Sequence, residues 1–233
     1  MGMAIFLLAL AAAGALLAWA VRGRRCTLLA PTRWRGPRAR RALALTFDDG
    51  PSEMTAHVLK LLARHGAHAT FFACGHHVRR LPHVAVRVLR EGHEIGNHTD
   101  THEALYFHSH AFIAEQIGRA QASIEEITGV RPRLFRVPFG ARWFGLRAAL
   151  ERNALTGIMW TQIARDWTLD GPAVAARLRD KAAPGAILCF HDGRGLLHDP
   201  DIASTLDALE LLLPQWAAEG YEFVTVSELL ALA

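Results

Sequence analysis

The stretch Leu43–Pro51, LALTFDDGP, sets the frame for the whole chain. An apolar run, Leu43-Ala44-Leu45, passes through Thr46-Phe47 into two adjacent acids, Asp48 and Asp49. Gly50-Pro51 then forces a turn, because Gly tolerates positive φ and Pro fixes φ. The pattern predicts a buried strand tipped by two carboxylates. Carboxylates with little water around them need a partner cation, a metal or a catalytic role. The ordinary alternative is a capped strand end with two solvated acids. It loses weight because matching polar clusters recur after other apolar runs downstream.

The chain has 233 residues, 51% of them hydrophobic. That suits one α/β domain with a sizeable core and is short for two large ones. The formal net charge is +4. Arg22, Arg24, Arg25, Arg33, Arg35, Arg38, Arg40 and Arg41 fall in one acid-free stretch, and removing those eight cations from +4 leaves −4. The basic balance is therefore local, and no nucleic-acid partner is implied. Of the three cysteines, Cys74 and Cys189 sit in apolar runs and read as inert core thiols, while Cys26 completes no disulfide framework.

Met3–Val21 carries no charged side chain. At about 1.5 Å per residue it can just cross a hydrocarbon core of about 30 Å. Residues 1–21 read first as a transmembrane anchor in a bacterial-type inner membrane. A signal peptide is the runner-up, since Ala18-Trp19-Ala20 resembles a cleavage site but no basic residue precedes the apolar run. Membrane lipid is thus an expected partner. The flanking arginines would keep the following domain cytoplasmic by the positive-inside rule, or could lie on anionic headgroups of either leaflet, so the side stays open. Residues 22–40, broken by Pro31, Gly36 and Pro37, read as an Arg-rich juxtamembrane linker. The folded domain is expected over 41–233.

From there strand-like and helix-like segments alternate. Helical patterns cover Thr55–Arg64, Pro82–Glu91, Phe112–Thr128, Trp143–Asn153, Ala173–Ala182 and Ile202–Ala218. Strands are expected at Ala69–Cys74, Leu134–Val137, Ile158–Ile163, Ala186–Phe190 and Phe223–Val226. This alternation predicts a parallel sheet with crossover helices, with the polar clusters that follow strands converging on one rim.

Those clusters carry the chemistry. His98-Thr99-Asp100-Thr101-His102 spaces two imidazoles so that a helical turn would place them on one face, able to share a metal with Asp49. Two His and one carboxylate leave positions open for water and substrate. Zinc suits the set, which also accepts cobalt, manganese, nickel or iron. With 13 His in the chain, such a pair alone is weak. Arg136 follows a strand and can orient a carboxylate. Asp166-Trp167 ends another strand, and His191 ends an apolar strand, where a carboxylate neighbour would make it a candidate general acid.

Taken in order, these stretches resemble the polysaccharide deacetylases with a NodB-like domain, carbohydrate esterase family 4. Thr46–Pro51, His98–His102, Arg136–Phe139, Asp166-Trp167 and Leu188–His191 match its five motifs, and the resemblance runs from about Arg41 to the C-terminus. It implies a distorted (β/α) barrel of about seven parallel strands. It also implies a metal-dependent hydrolase removing an N-acyl group, chiefly acetyl, from an amino sugar of a glycan. By the resemblance, Asp48 is the general base, Asp49, His98 and His102 the metal ligands, and His191 the general acid tuned by Asp166. Arg136 orients Asp48, the Phe139 backbone N–H meets the oxyanion, and Trp167 and Leu188 line the acyl pocket. Two departures stand out: Ile163 occupies a position usually held by Asp, and Phe139 one where Tyr is common. The substrate could be a polymer or a lipid-linked sugar at the cytoplasmic membrane face, deacylated or deformylated there. A non-catalytic carbohydrate-binding relative would be expected to have lost part of the acid–base or metal set. The oligomeric state is not legible.

Overall fold

Strand β2 (Ala42–Asp48) is buried along its whole length and divides its side chains between two apolar layers. Leu43, Leu45 and Phe47 join one cluster, and Ala42 and Ala44 join another with Phe72, Leu134, Ile158 and Ile187. Side chains alternate across a strand, so this is the signature of a sheet covered on both faces. The computed structural model describes residues 2–231.

Helix α1 (Gly2–Arg22) and the short β1 (Thr32–Arg33) precede β2. Then follow α2 (Thr55–Arg64), β3 (Ala69–Ala73), α3 (Gly75–Arg80), α4 (Pro82–Arg90), β4 (Glu94–Asn97), α5 (His110–Thr128) and β5 (Leu134–Phe135). The second half holds α6 (Leu146–Arg152), β6 (Thr156–Ile158), β7 (Gln162–Ile163), α7 (Gly171–Leu178), β8 (Ala186–His191), α8 (Ala203–Ala218), β9 (Glu222–Phe223) and α9 (Val226–Ala231). The strands form one nine-stranded sheet in the order β1-β6-β5-β4-β3-β2-β8-β7, with β9 beside the start of β2. Every pairing is parallel. β1 and β7 are the two ends of the path, so the sheet curls into an open, distorted (β/α) barrel. Helices α2, α7 and α8 seal its outer face through Leu59, Leu62, Val174, Leu178, Leu209 and Trp216.

Three local outcomes differ from the sequence expectation. Ile158–Ile163 is two short strands, not one: β6 pairs with β5, β7 pairs with β8, and Met159–Thr161 turns between them. His98 and His102 lie on a loop rather than on a helical turn. The Arg-rich segment does not hang free. Thr32–Arg33 pairs with β6, Cys26 and Ala30 are buried, and the buried guanidinium of Arg142 donates to the carbonyls of Gly23 and Cys26. Buried backbone carbonyls need donors, and one Arg with five N–H groups supplies several at once.

Helix α1 is long and apolar enough to cross a membrane, with a mean hydropathy of 2.4 and Ala20 as its one buried residue. A membrane anchor and a signal sequence both meet that description.

Candidate active site

The site begins with register. Asp48 on β2 stands opposite His191 on β8, and both belong to the inward-facing alternation of their strands. Asp49 follows at once and would point the other way in an extended chain. Its φ of 74° turns the backbone into the left-handed region and brings the second carboxylate into the same cleft. Gly50 is required next, because a Cβ there would fall 2.2 Å from Asp192 Oδ2.

Asp48 and Asp49 are both buried, and each has its own nitrogen partners, a guanidinium for Asp48 and two imidazoles for Asp49. Arg136, fully buried, donates from Nη1 to Asp48 Oδ1 at 2.7 Å and to Thr46 Oγ1 at 2.7 Å. Its guanidinium carbon lies 4.1 Å from the Phe72 ring centroid, so the side chain is held on a fixed plane. Asp49 Oδ1 lies 3.0 Å from His102 Nε2 and 3.4 Å from His98 Nε2. Asp49 Oδ2 accepts from the Gly195 N–H at 2.8 Å. Burial pushes the Asp49 carboxyl up, but the His102 and His98 side chains beside it outweigh burial and hold the group well below the usual carboxylate range.

One carboxylate oxygen and two imidazole nitrogens of Asp49, His98 and His102 lie within 4.8 Å of one another, a spacing that could hold a metal ion. His98 also shows the right ring orientation. Its Nδ1 is 2.7 Å from the Arg136 carbonyl, which can only accept, so Nδ1 carries the hydrogen and Nε2 presents a lone pair to the cluster. The donor set therefore fits a divalent cation.

The loop that carries the two imidazoles is built by side chains that compete with helix formation. Asn97 Oδ1 accepts from the Thr99 N–H, Thr99 Oγ1 from the His102 N–H, and Gln116 Oε1 from the Thr101 N–H. Asp100, fully buried, is clamped by Arg79 at 2.6 Å and Arg119 at 3.2 Å. Thr99 and His102 take positive φ values that no helix allows.

On the opposite wall, His191 Nδ1 is 2.8 Å from Asp166 Oδ1. Asp166 Oδ2 accepts from the His191 N–H and from Thr205 Oγ1 on α8. Burial lowers the His191 pKa, but the Asp166 hydrogen bond and charge more than reverse it, to about 8. Burial likewise raises Asp166, and the His191 contact wins, holding it below its ordinary value.

These groups open into a cleft of about 410 Å³, also lined by Phe139, Trp160, Ile163 and Trp167. Phe139 lies 4.7 Å from His102 and Trp167 lies 5.0 Å from His191, ring centroid to centroid, and both side chains are about half exposed. A larger hollow of about 870 Å³ between α2 and α4 lies away from this cleft and holds none of these groups.

Leu188 is the expected site residue that stands elsewhere. It is fully buried among the outer-face apolar residues beneath the helices and does not line the cleft. On β8 the inward positions are Ile187, Cys189 and His191, so a shift of one residue changes the face. Cys189 is the inward neighbour, and its thiol lies 3.4 Å from Asp48 Oδ2. Burial pushes that thiol well up, so it is a neutral donor to the carboxylate. Ile163, rather than Leu188, supplies an aliphatic wall. The supporting residues Gln116, Gly195 and Thr205 carry no motif of their own.

A polysaccharide deacetylase family model matches residues 35–158. A peptidoglycan-N-acetylglucosamine deacetylase of Bacillus cereus is 36% identical over 84% of this chain and 92% of its own length. The chain belongs to the polysaccharide deacetylase family. It is a carbohydrate N-deacetylase by class. Its fold matches the peptidoglycan deacetylase PdaC from Bacillus subtilis with a TM-score of 0.74 at 32% identity, covering 83% of this chain and 91% of that one. It also matches a CE4 family pseudoenzyme from Bacillus anthracis with a TM-score of 0.78 at 27% identity, covering 88% and 70%. Mutants of that pseudoenzyme include one with restored enzymatic activity. Similarity of fold therefore does not guarantee catalysis in this deacetylase family, and the residues of the cleft decide.

Proposed function

We propose that this protein is a zinc-dependent hydrolase that removes the N-acetyl group from an amino sugar of a cell-envelope glycan. The observation that carries the reading is the convergence of three pairings on one cleft: Asp48 with Arg136, Asp49 with His98 and His102, and Asp166 with His191. Two similar proteins support the same reading: those from Bacillus cereus and Bacillus subtilis are named for N-acetylglucosamine and N-acetylmuramic acid in peptidoglycan.

Asp49, His98 and His102 would hold the cation. Lewis acidity towards an amide carbonyl and towards water is what a zinc ion supplies when held there. Asp48, oriented by Arg136, accepts the proton of the attacking water. His191, protonated through Asp166, delivers a proton from Nε2 to the departing amine nitrogen, which is otherwise a poor leaving group. The Phe139 backbone N–H, on a turn with φ of 57°, is the donor for the developing oxyanion, and the Phe139 and Trp167 rings with Ile163 wall the acetyl group. The complete acid–base and ligand set favours this enzyme over a non-catalytic carbohydrate binder.

The test is release of acetate from chitotetraose and from peptidoglycan glycan strands by the full chain, stripped of metal and then reconstituted with zinc. Acetate release that requires zinc is expected. Release of formate alone from N-formylated sugars would overturn the acetyl assignment, and no acyl release from any N-acylated glycan would overturn the reading as a whole.

A further inference from the structure

The loop that leaves β8 after His191 reaches back into the catalytic cleft with Gly195, whose N–H donates to Asp49 Oδ2 at 2.8 Å. From Arg194 to Asp199 no residue of this loop is buried, and Leu196 and Leu197 are exposed. A segment without buried apolar anchors opens easily unless polar bonds hold it. Those bonds come from two directions. Within the rim, Arg194 donates to the carbonyls of Asp166 and Gly193. From outside, α3 supplies Arg80, which donates to the His198 carbonyl at 3.1 Å, and His77, whose Nε2 lies 2.9 Å from the Gly195 carbonyl.

His77 is the unusual member of this set, because it is fully buried on α3 and contributes nothing to the cleft wall. A carbonyl can only accept, so Nε2 carries the hydrogen. That leaves Nδ1 as an acceptor, and Nδ1 is buried with no partner among the described residues. Buried polar atoms without partners are rare and cost stability. An apolar side chain of similar size would avoid that cost, so stability alone does not account for an imidazole here. The bond made by Nε2 does.

Gly195 is gripped on both sides, by Asp49 at its N–H and by His77 at its carbonyl. Its φ of 52° lies where glycine is favoured. The consequence falls on Asp49. The Cβ–Cγ torsion of an aspartate is broad, so its carboxylate can swing. With Oδ2 occupied by the Gly195 N–H, Oδ1 is the oxygen left facing His102 at 3.0 Å and His98 at 3.4 Å. The Gly195 N–H thus selects the liganding oxygen, and His77 holds Gly195 in place. Removing a group that orients a metal ligand from behind typically costs about 10–100-fold in metal affinity or activity.

We infer that His77 is a positioning residue of the metal site, acting through Gly195 to hold Asp49 with one oxygen turned to the cation. This rests on the reading of Asp49, His98 and His102 as zinc ligands, and it deepens that reading by extending the site to a helix outside the cleft.

The test measures zinc affinity of the metal-stripped full chain in mild detergent, by competition with a fluorescent chelator. The melting temperature of the same metal-free protein is followed by circular dichroism. His77→Leu fills the space without a donor and should weaken zinc binding about tenfold or more. His77→Asn keeps an amide but stops short of the Gly195 carbonyl, and should behave like His77→Leu. His77→Gln places an amide N–H near the position of Nε2 and should bind zinc within about threefold of the wild type, well inside the loss expected from removing the donor. The metal-free melting temperatures of all three should stay within a few degrees of the wild type. Unchanged affinity in His77→Leu and His77→Asn, or equal weakening in His77→Gln, would overturn the proposal while leaving the zinc site standing. So would a failure of His77→Leu and His77→Asn to fold without metal, since His77 would then be a structural residue. A wild-type chain that binds no zinc would overturn the ligand reading itself.

Discussion

Replacing Asp48 with Asn lowers kcat for acetate release by about 10²–10⁴-fold, the range that a general base contributes. The substitution is nearly isosteric and keeps an oxygen for the 2.7 Å contact with Arg136, but it removes the lone acceptor able to take a proton from water. Arg136 and Thr46 would still bond each other, so the floor of the cleft keeps its shape. KM should therefore move little while kcat falls, which is the pattern of a group used in the transition state rather than in binding. Steady-state kinetics with circular dichroism as the fold control checks it. A variant with near-normal kcat would remove Asp48 from the chemistry. The adjacent Asp49 predicts a different failure, because its partners are imidazoles rather than a guanidinium.

The second large effect concerns His191. Its pKa of about 8 means that the imidazole is protonated at neutral pH and loses its proton as pH rises through about 8. A general acid is active in the protonated form, so kcat/KM should hold at neutral pH and fall on the alkaline side near pH 8. Asp166→Asn removes the carboxylate that raises the value while burial, which lowers it, stays. The alkaline limb should move down, towards or below the ordinary imidazole value of about 6.5. His191→Gln, which removes the acid outright, should cost about 10²–10⁴-fold and leave no alkaline limb of this origin. The same displacement bears on stability. A His raised in the folded state stabilises the fold below the unfolded value near 6.5 and loses that contribution as pH climbs through about 8. An unchanged limb in Asp166→Asn would show that another group sets it.

Much of this site was legible in the sequence because strand ends advertise themselves. Asp48, Asp49, Arg136, Asp166 and His191 each follow an apolar run, and a parallel barrel brings such ends to one rim. What the sequence could not convey was orientation. The choice between Leu188 and Cys189 depends on which alternation of β8 faces inward, and a run that is apolar on both faces hides it. The pairing of His98 with His102 was visible in their spacing, yet the geometry that joins them is a loop fixed by Asn97, Thr99 and Gln116 from separate elements. Thr205, which shares Asp166 with His191, comes from a helix packed outside the sheet and has no local signal. The Arg-rich segment looked like a tether because its cations are polar. In the fold its backbone, rather than its charge, pairs with β6 and with Arg142.

The division of labour between two adjacent aspartates is best tested by titrating zinc calorimetrically into the chelator-stripped full chain and three variants. Asp49→Ala and His98→Ala should lose tight zinc binding. The wild type and Asp48→Asn should each bind one zinc ion per chain with similar affinity. Loss of zinc from Asp48→Asn together with its retention by Asp49→Ala would reverse the two roles and contradict the proposed chemistry.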